Sequence, residues 1–412
     1  MRFSEYDYYA DGNKRNQKDG YYEGDKSPET TYKYDNGRLQ TETDAKGNII
    51  TYVYDSNVSS IFPSKILYPK TSSIDHNIQY EEYDHRFGKP TRIIDENLQE
   101  TKYYYDDFGR LEKIKNPDNE GETTIQYSDS VSLRYVITKV KESGGAKERL
   151  YEFFDGLNRL VQKVTPIGND EYSVIQYEYD KMGRLSITKG PFLYSDPNYN
   201  SYSYIIIEEE NIDKIPFEER KYDFRGRIIS ICQKRIKAET TNNYITYTRT
   251  YQYDGYVTTI TDYDEKTIKE KRDFLGRIIE VEEEGNKVTH YRYNAANDLL
   301  SVADSVNQTI TFTYDTVGRK IKMSDPDMGV WLYEYDANNN LIRQTFPNNI
   351  YSETKETTYG YDLAANGVGR LYSISNSDVI KTVTAYDKMG REESVKKKLK
   401  DLNHIPQHIN MI

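Results

Sequence analysis

Apolar and polar residues alternate with a period of two through most of the chain. Thr309-Ile310-Thr311-Phe312-Thr313-Tyr314 is one such run, and it places Phe312 and Tyr314 on one face. The same i, i+2 aromatic pair recurs at Tyr52 and Tyr54, Tyr103 and Tyr105, Tyr177 and Tyr179, Tyr251 and Tyr253, Tyr291 and Tyr293, and Tyr333 and Tyr335. In a helix these residues would diverge by about 200°, whereas in a strand they build a stripe on one side of a sheet. The pattern predicts an all-β fold of repeated antiparallel hairpins, forming a spiralling sheet and a partial or open shell.

The strands are punctuated by one recurrent corner, Tyr-Asp-x-x-Gly-Arg followed by an aliphatic residue. It occurs at Asp106, Gly109 and Arg110, at Asp180, Gly183 and Arg184, and at Asp223, Gly226 and Arg227. It returns without the aliphatic residue at Asp315, Gly318 and Arg319 and at Asp387, Gly390 and Arg391, and without the Tyr at Asp273, Gly276 and Arg277 and at Asp155, Asn158 and Arg159. Between Asp273 and Asp336 the anchors Asp273, Asn294, Asp315 and Asp336 fall 21 residues apart, which makes one small unit used many times. The chemistry is that of a turn. Asp accepts hydrogen bonds from backbone N–H groups two residues on. The fourth residue must be left-handed, as in a type I turn followed by a bulge. Gly at 109, 183, 226, 276, 318 and 390, and Asn at 158, 297 and 339, meet that need. A catalytic motif would not require a left-handed backbone in every copy, so these residues are read as structural. The Arg is expected to stack on a neighbouring Tyr or pair with an Asp.

Elsewhere the spacing drifts. The turn Asp35-Asn36-Gly37-Arg38 is one residue short, Asp84 to Gly88 is one longer, and Asp362 to Gly369-Arg370 carries an insertion. Larger insertions at 128–149 and 190–220 read as loops or longer strands on one rim, as spacers sooner than as a functional loop; the second holds Pro191, Pro197, Pro216 and Glu208-Glu209-Glu210. The expected organisation is an irregular or edge segment over 1–31, the repeat sheet over 32–394, and a basic, frayed tail over 395–412.

Composition narrows the picture. Hydrophobic residues make up 36% of the chain and Tyr supplies 42 of its 412 residues, with a mean hydropathy of -0.89. A thin sheet packed by Tyr fits this better than a thick aliphatic core, because the ring packs while its hydroxyl stays wet. The net charge of -11 disfavours nucleic acid and is compatible with a basic cargo. Cys232 is the only cysteine, so no intrachain disulfide forms. It lies in an apolar strand and reads as packing. No signal peptide and no membrane-length apolar run is visible; Ile205-Ile206-Ile207 is the longest notable aliphatic patch. No metal or cofactor site is expected. Pro406 separates His404 from His408, and the Asn116–Gly121 loop lacks the acidic twelfth ligand of a calcium loop.

The units Tyr-Asp-x-x-Gly-Arg-Leu at about 21-residue spacing resemble the YD repeats of the rearrangement-hotspot (Rhs) family, from about Tyr32 to Arg391. Phe87-Gly88-Lys89-Pro90-Thr91 and Phe153-Phe154-Asp155-Gly156-Leu157-Asn158-Arg159-Leu160 are similar to the B component of bacterial toxin complexes, and Met328-Gly329-Val330-Trp331 to ordinary Rhs units. The resemblance implies a β-sheet shell that encloses or presents a toxin polypeptide encoded nearby, with other shell segments as partners and a secreted or cell-surface location. It implies a non-enzymatic scaffold. The Asp-Pro-rich autocleavage signature of the family is not found after Arg391, so the chain resembles a middle slice of a longer protein. The alternative is a surface module that binds host glycans or protein through Tyr-rich faces. A cryptic hydrolase would need carboxylates converging in a pocket, and no spacing selects them.

Overall fold

The computed structural model describes residues 3–20, 28–117, 120–128, 134–142, 147–168, 170–196, 204–206, 215–238, 241–348 and 353–399. Among these residues there are 32 strands and no α-helix. Strands pair antiparallel with their neighbours in the chain, as in Thr309–Tyr314 with Lys320–Asp325 and Lys320–Asp325 with Gly329–Tyr335. The sheet is open: Phe3–Tyr8 begins it on Lys14–Gly20, and Glu392–Leu399 ends it on Val379–Tyr386. Thr309–Tyr314 and Gly329–Tyr335 alternate residue by residue between exposed and half-buried positions, as the period-two pattern requires. Consecutive hairpins leave their turns on alternate edges. The Tyr-Asp corners lie on one edge and turns such as Asp44–Asn48 and Asp95–Gln99 on the other.

The chain forms two compact units. One comprises Met1–Tyr103, Asn116–Glu120 and Tyr291–Ile412; the other comprises Tyr104–Lys115 and Gly121–His290. In the second unit Ile137, Tyr151, Phe153, Val164, Val174 and Ile205 form a buried cluster. Ile205 comes from the 190–220 insertion, where Tyr204-Ile205-Ile206 crosses a sheet face. The side-chain amides of Gln162 and Gln176 donate to the Ile205 carbonyl at 2.8 and 2.9 Å, and the Ile205 amide donates back to Gln162 at 2.8 Å. Most of the described insertion lengthens strands, within Leu185–Ser195 and Phe217–Tyr222, while Tyr204 and Ile205 seat on the core. Pro197 and Glu208 to Glu210 lie outside the described residues, as does most of the basic tail.

Candidate functional site

The repeated corner builds itself from two side chains, an Asp and an Arg, and the backbone between them. At Asp106 the backbone closes with Asp106 N–H to Arg110 O at 2.9 Å and Gly109 N–H to Asp106 O at 3.0 Å. Oδ1 of Asp106 accepts from the amides of Phe108 (2.9 Å) and Arg110 (2.8 Å), and Oδ2 accepts from Arg110 Nε at 2.7 Å. The same Asp–Arg bond recurs at Asp155–Arg159, Asp180–Arg184, Asp223–Arg227, Asp273–Arg277, Asp315–Arg319 and Asp387–Arg391, between 2.6 and 2.8 Å. The fourth residue is left-handed in each, from Asn158 at φ 62 to Gly226 and Gly318 at φ 84.

At five of these corners the guanidinium then links to the next repeat. Arg110 lies over Tyr127, Arg159 over Tyr179, Arg184 over Tyr222, Arg227 over Tyr253 and Arg319 over Tyr335, with 4.1 to 4.9 Å to the ring centroid. The tyrosine hydroxyl completes the link by donating to the carbonyl after the Arg. Tyr127 reaches Leu111, Tyr179 Leu160, Tyr222 Leu185, Tyr253 Ile228 and Tyr335 Lys320, all within 3.0 Å. Tyr386 makes the same bond to Leu371 at 2.6 Å. Thus at these corners the tyrosine clasps the preceding repeat. Sequence reasoning missed this bond because nothing local marks an acceptor 15 to 37 residues back.

Electrostatics follow the geometry. At Asp106, Asp155, Asp223, Asp273 and Asp387 desolvation opposes ionisation, but the Arg and turn-amide bonds outweigh it and hold each carboxyl below the usual range. Burial pushes the Tyr83 hydroxyl up to about 12, and that hydroxyl donates to the Pro63 carbonyl at 2.7 Å.

The opposite edge uses the same turn with wider residue choice. Asp95 Oδ1 accepts from Asn97 and Gln99 amides, both at 2.8 Å, and the left-handed position is Leu98 at φ 61. Glu265 holds that position at φ 63 in the Asp262–Lys266 turn. Leu and Glu are tolerated there at a cost of about 1–2 kcal/mol, which the Gly corners avoid and the Asn corners lessen.

Within the first unit, the two edges meet in a seam joining residues nearly 300 positions apart. Lys46 Nζ, from the Asp44–Asn48 turn, sits 2.7 Å from Asp315 Oδ2. Burial pushes the Asp315 carboxyl up, yet the Lys46 ammonium, the Arg319 amide and the Arg319 guanidinium hold it down at about 2. Asn97 donates to the Val368 carbonyl at 3.0 Å and accepts from the Val368 amide at 2.8 Å. Asp95 lies 3.6 Å from Arg370. Beside these contacts, the Thr71 hydroxyl donates to Asp362 Oδ2 at 2.5 Å. His76 Nε2 lies 2.5 Å from Thr71 Oγ1, and His76 Nδ1 lies 2.9 Å from Glu96 Oε2. Asp362 also accepts the Gly369 amide at 2.7 Å. Gly369 is left-handed at φ 75, which favours glycine there, and the end of the Glu96 side chain closes over it, 2.6 Å from where a Cβ would stand. The His76 ring is 2% exposed and both of its nitrogens find partners within the cluster. This is the chemistry of a buried lock. Among the described residues no group of three His, Cys, Asp or Glu is placed to hold a metal ion; His404 and His408 lie outside them.

The RHS repeat matches residues 293–327, which span the corners at Asn294 and Asp315. No curated protein matches the chain. Among solved structures, TcdB2-TccC3 without its hypervariable C-terminal region is similar at 12% identity and a TM-score of 0.63, covering 96% of this chain and 26% of that one. TcdB2-TccC3-Cdc42 is similar at 12% identity and a TM-score of 0.61, covering 96% and 26%. TcdB2-TccC3 itself is similar at 13% identity and a TM-score of 0.58, covering 96% and 24%. The chain spans about a quarter of the length of these solved chains. It therefore carries an RHS repeat in a sheet that shares its fold with a stretch of TcdB2-TccC3, the resemblance its Tyr-Asp corners implied.

Proposed function

We propose that the chain is a non-catalytic scaffold of a toxin-delivery shell, which encloses or presents a cargo polypeptide together with other YD-repeat segments. The observation that carries this reading is the seam in the first unit, where one edge of a repeat sheet seats on the other through Lys46–Asp315 and Asn97–Val368. A sheet whose edges fit each other in this way can be laid down in successive turns. The Asp, Arg and Tyr of each corner are committed to one another, which suits architecture and leaves no evident group for chemistry. The fold shared with TcdB2-TccC3 supports the same reading. The test is co-expression with the polypeptide encoded next to this chain, followed by protease. Copurification and protection of that partner are expected; free digestion with no copurification contradicts the proposal.

A second reading, glycan recognition, draws on one cavity of about 370 Å³ in the second unit. Tyr263 is 59% exposed at its rim and meets Tyr247 edge to face at 4.8 Å. Glu218, Gln233 and Arg249 supply planar polar groups around that platform. A glycan-array signal that disappears in Tyr263→Ala would favour this reading; binding that survives the substitution would remove it.

A further inference from the structure

The corner arginines described above each bond their own Asp, between 2.6 and 2.8 Å. Arg235 does not share that arrangement. It stands exposed on the strand Ile228–Ala238, and its hydrogen bond runs from Nη2 to the neutral side-chain oxygen of Gln233 at 3.2 Å. Among the described residues no carboxylate pairs with it. In a chain of net charge -11, a guanidinium without a carboxylate runs against the surplus of acid. Its Cζ lies 5.7 Å from the centroid of the Tyr247 ring, at the wall of the cavity of about 370 Å³.

The strands fix the surroundings of this charge. Gln233 stands opposite Glu218 on one neighbouring strand and Tyr247 on the other, and Ile231 stands opposite Arg220 and Arg249. Ile231, Gln233 and Arg235 share one face by the period of two, so the floor of the cavity runs from an aliphatic patch through an amide to a cation. The other charges of the cavity are matched. Glu218 accepts from Gln233 Nε2 at 2.9 Å and pairs with Arg220. Arg249 Nη2 lies 3.1 Å from Asp262 Oδ2, and that bond holds the Asp262 carboxyl below its usual range. Among the described residues that line the cavity, Arg235 is therefore the uncompensated charge. A second cavity, of about 390 Å³ beside Tyr127, lacks this feature: its Arg110 is bonded to Asp106 at 2.7 Å, and Glu112 adds a further carboxylate.

We propose that the cavity beside Arg235 binds an acidic saccharide. Arg235 takes the carboxylate through two N–H donors of its planar fork, which the single bond to Gln233 leaves open. The apolar face of the sugar ring lies on Tyr263, which is 59% exposed. The Arg249–Asp262 pair meets ring hydroxyls with a donor and an acceptor. The volume of about 370 Å³ falls within the roughly 300–1,000 Å³ of small-ligand clefts. The inference rests on the glycan reading and adds to it the charge of the ligand and the residue that selects it. It does not depend on any cargo.

Titration calorimetry on the full chain tests it with methyl glucuronide, methyl glucoside and glutarate. The two sugars differ only in a carboxylate in place of a hydroxymethyl group, and glutarate offers carboxylates without a ring. The wild type is expected to bind the glucuronide at least about tenfold more tightly than the glucoside, and more tightly than glutarate. Arg235→Gln is expected to bring the two sugars to the same affinity, and Tyr263→Ala to weaken both. Arg235 is exposed, so circular dichroism and melting of its variant should match the wild type. Arg225→Gln removes the same charge from an exposed corner outside the cavity and should keep the preference. Sugars that bind without preference for the carboxylate overturn the proposal and leave the glycan reading standing. A preference that survives Arg235→Gln, or that Arg225→Gln abolishes equally, does the same. Glutarate bound as tightly as the glucuronide overturns the saccharide and points to an acidic peptide. Binding of neither sugar overturns both readings.

Discussion

The corners at Asp315 and Asp362 and those at Asp106, Asp155, Asp180 and Asp223 place the same turn in two situations. In the first unit an opposite-edge turn covers the corner, and the side chain of Asp315 is 7% exposed with its Arg319 at 11%. In the second unit the corner stands open, with Asp180 at 24% and Arg184 at 31%. The turn geometry scarcely changes between them: the Asp–Arg bond is 2.8 Å at Asp315 and 2.7 Å at Asp180. What changes is how far the Asp and Arg are covered and the number of partners the Asp acquires. The motif is thus a self-sufficient hairpin end, and covering it adds long-range stability without altering it.

Substitutions can break that comparison. The largest effect is expected from Asp362→Ala, which strands the Thr71 hydroxyl and the Gly369 amide inside the seam. A loss of about 3 kcal/mol is expected, read by urea unfolding through Trp331. That residue is the single tryptophan and belongs to the first unit. Asp223→Ala, at an open corner, should shift its own unit's transition by less than half as much. Equal shifts would mean that the seam contributes nothing special.

Acid comes next. Asp315 has its carboxyl lowered from 3.8 to about 2, so its ionised form is favoured in the fold. The stabilisation is complete above about pH 4 and is lost as the pH falls toward 2, an effect of about 1–2 kcal/mol. Thermal unfolding between pH 2 and 5 should show this limb in the wild type and lack it in Asp315→Asn.

A smaller, symmetrical effect is expected at the tyrosine clasp. Tyr386→Phe and Tyr253→Phe each remove one hydroxyl-to-carbonyl bond, at 2.6 and 2.8 Å in the two units. Each should cost about 1 kcal/mol. Because the clasp belongs to the repeat and not to the seam, the two values should agree. A much larger loss for Tyr386→Phe would tie the clasp to the covering edge.

The smallest effect runs the other way. Leu98 is left-handed at φ 61 and 75% exposed. Leu98→Gly should stabilise the chain by about 0.5–1 kcal/mol by removing that strain, measurable as a raised urea midpoint. No change would mean that the turn has relaxed around leucine.

How much of this was legible follows from the range of each interaction. The strands and corners are local: period-two alternation, an Asp that caps its own turn, and a fourth residue that must be left-handed are all written within five residues. The seam is not. Nothing near Asn97 marks Val368 as its partner, since that meeting depends on how hundreds of residues of twisted sheet accumulate. Leu98 and Glu265 were hidden because a Gly-or-Asn criterion finds only the turns that obey it. Ile205 had a signal, the longest notable aliphatic patch in a chain poor in aliphatics. The adjoining prolines and glutamates have the composition of an exposed loop and mask that signal.

The central claim, that opposite edges of the sheet seat on each other, is tested most directly by zero-length carbodiimide cross-linking of the unmodified chain. Lys46 and Asp315 lie 2.7 Å apart across the seam, and Lys381 and Glu392 lie 2.7 Å apart within one hairpin. Peptide mass spectrometry of the monomeric fraction should find isopeptide bonds at both pairs. A Lys381–Glu392 bond without a Lys46–Asp315 bond would contradict the account.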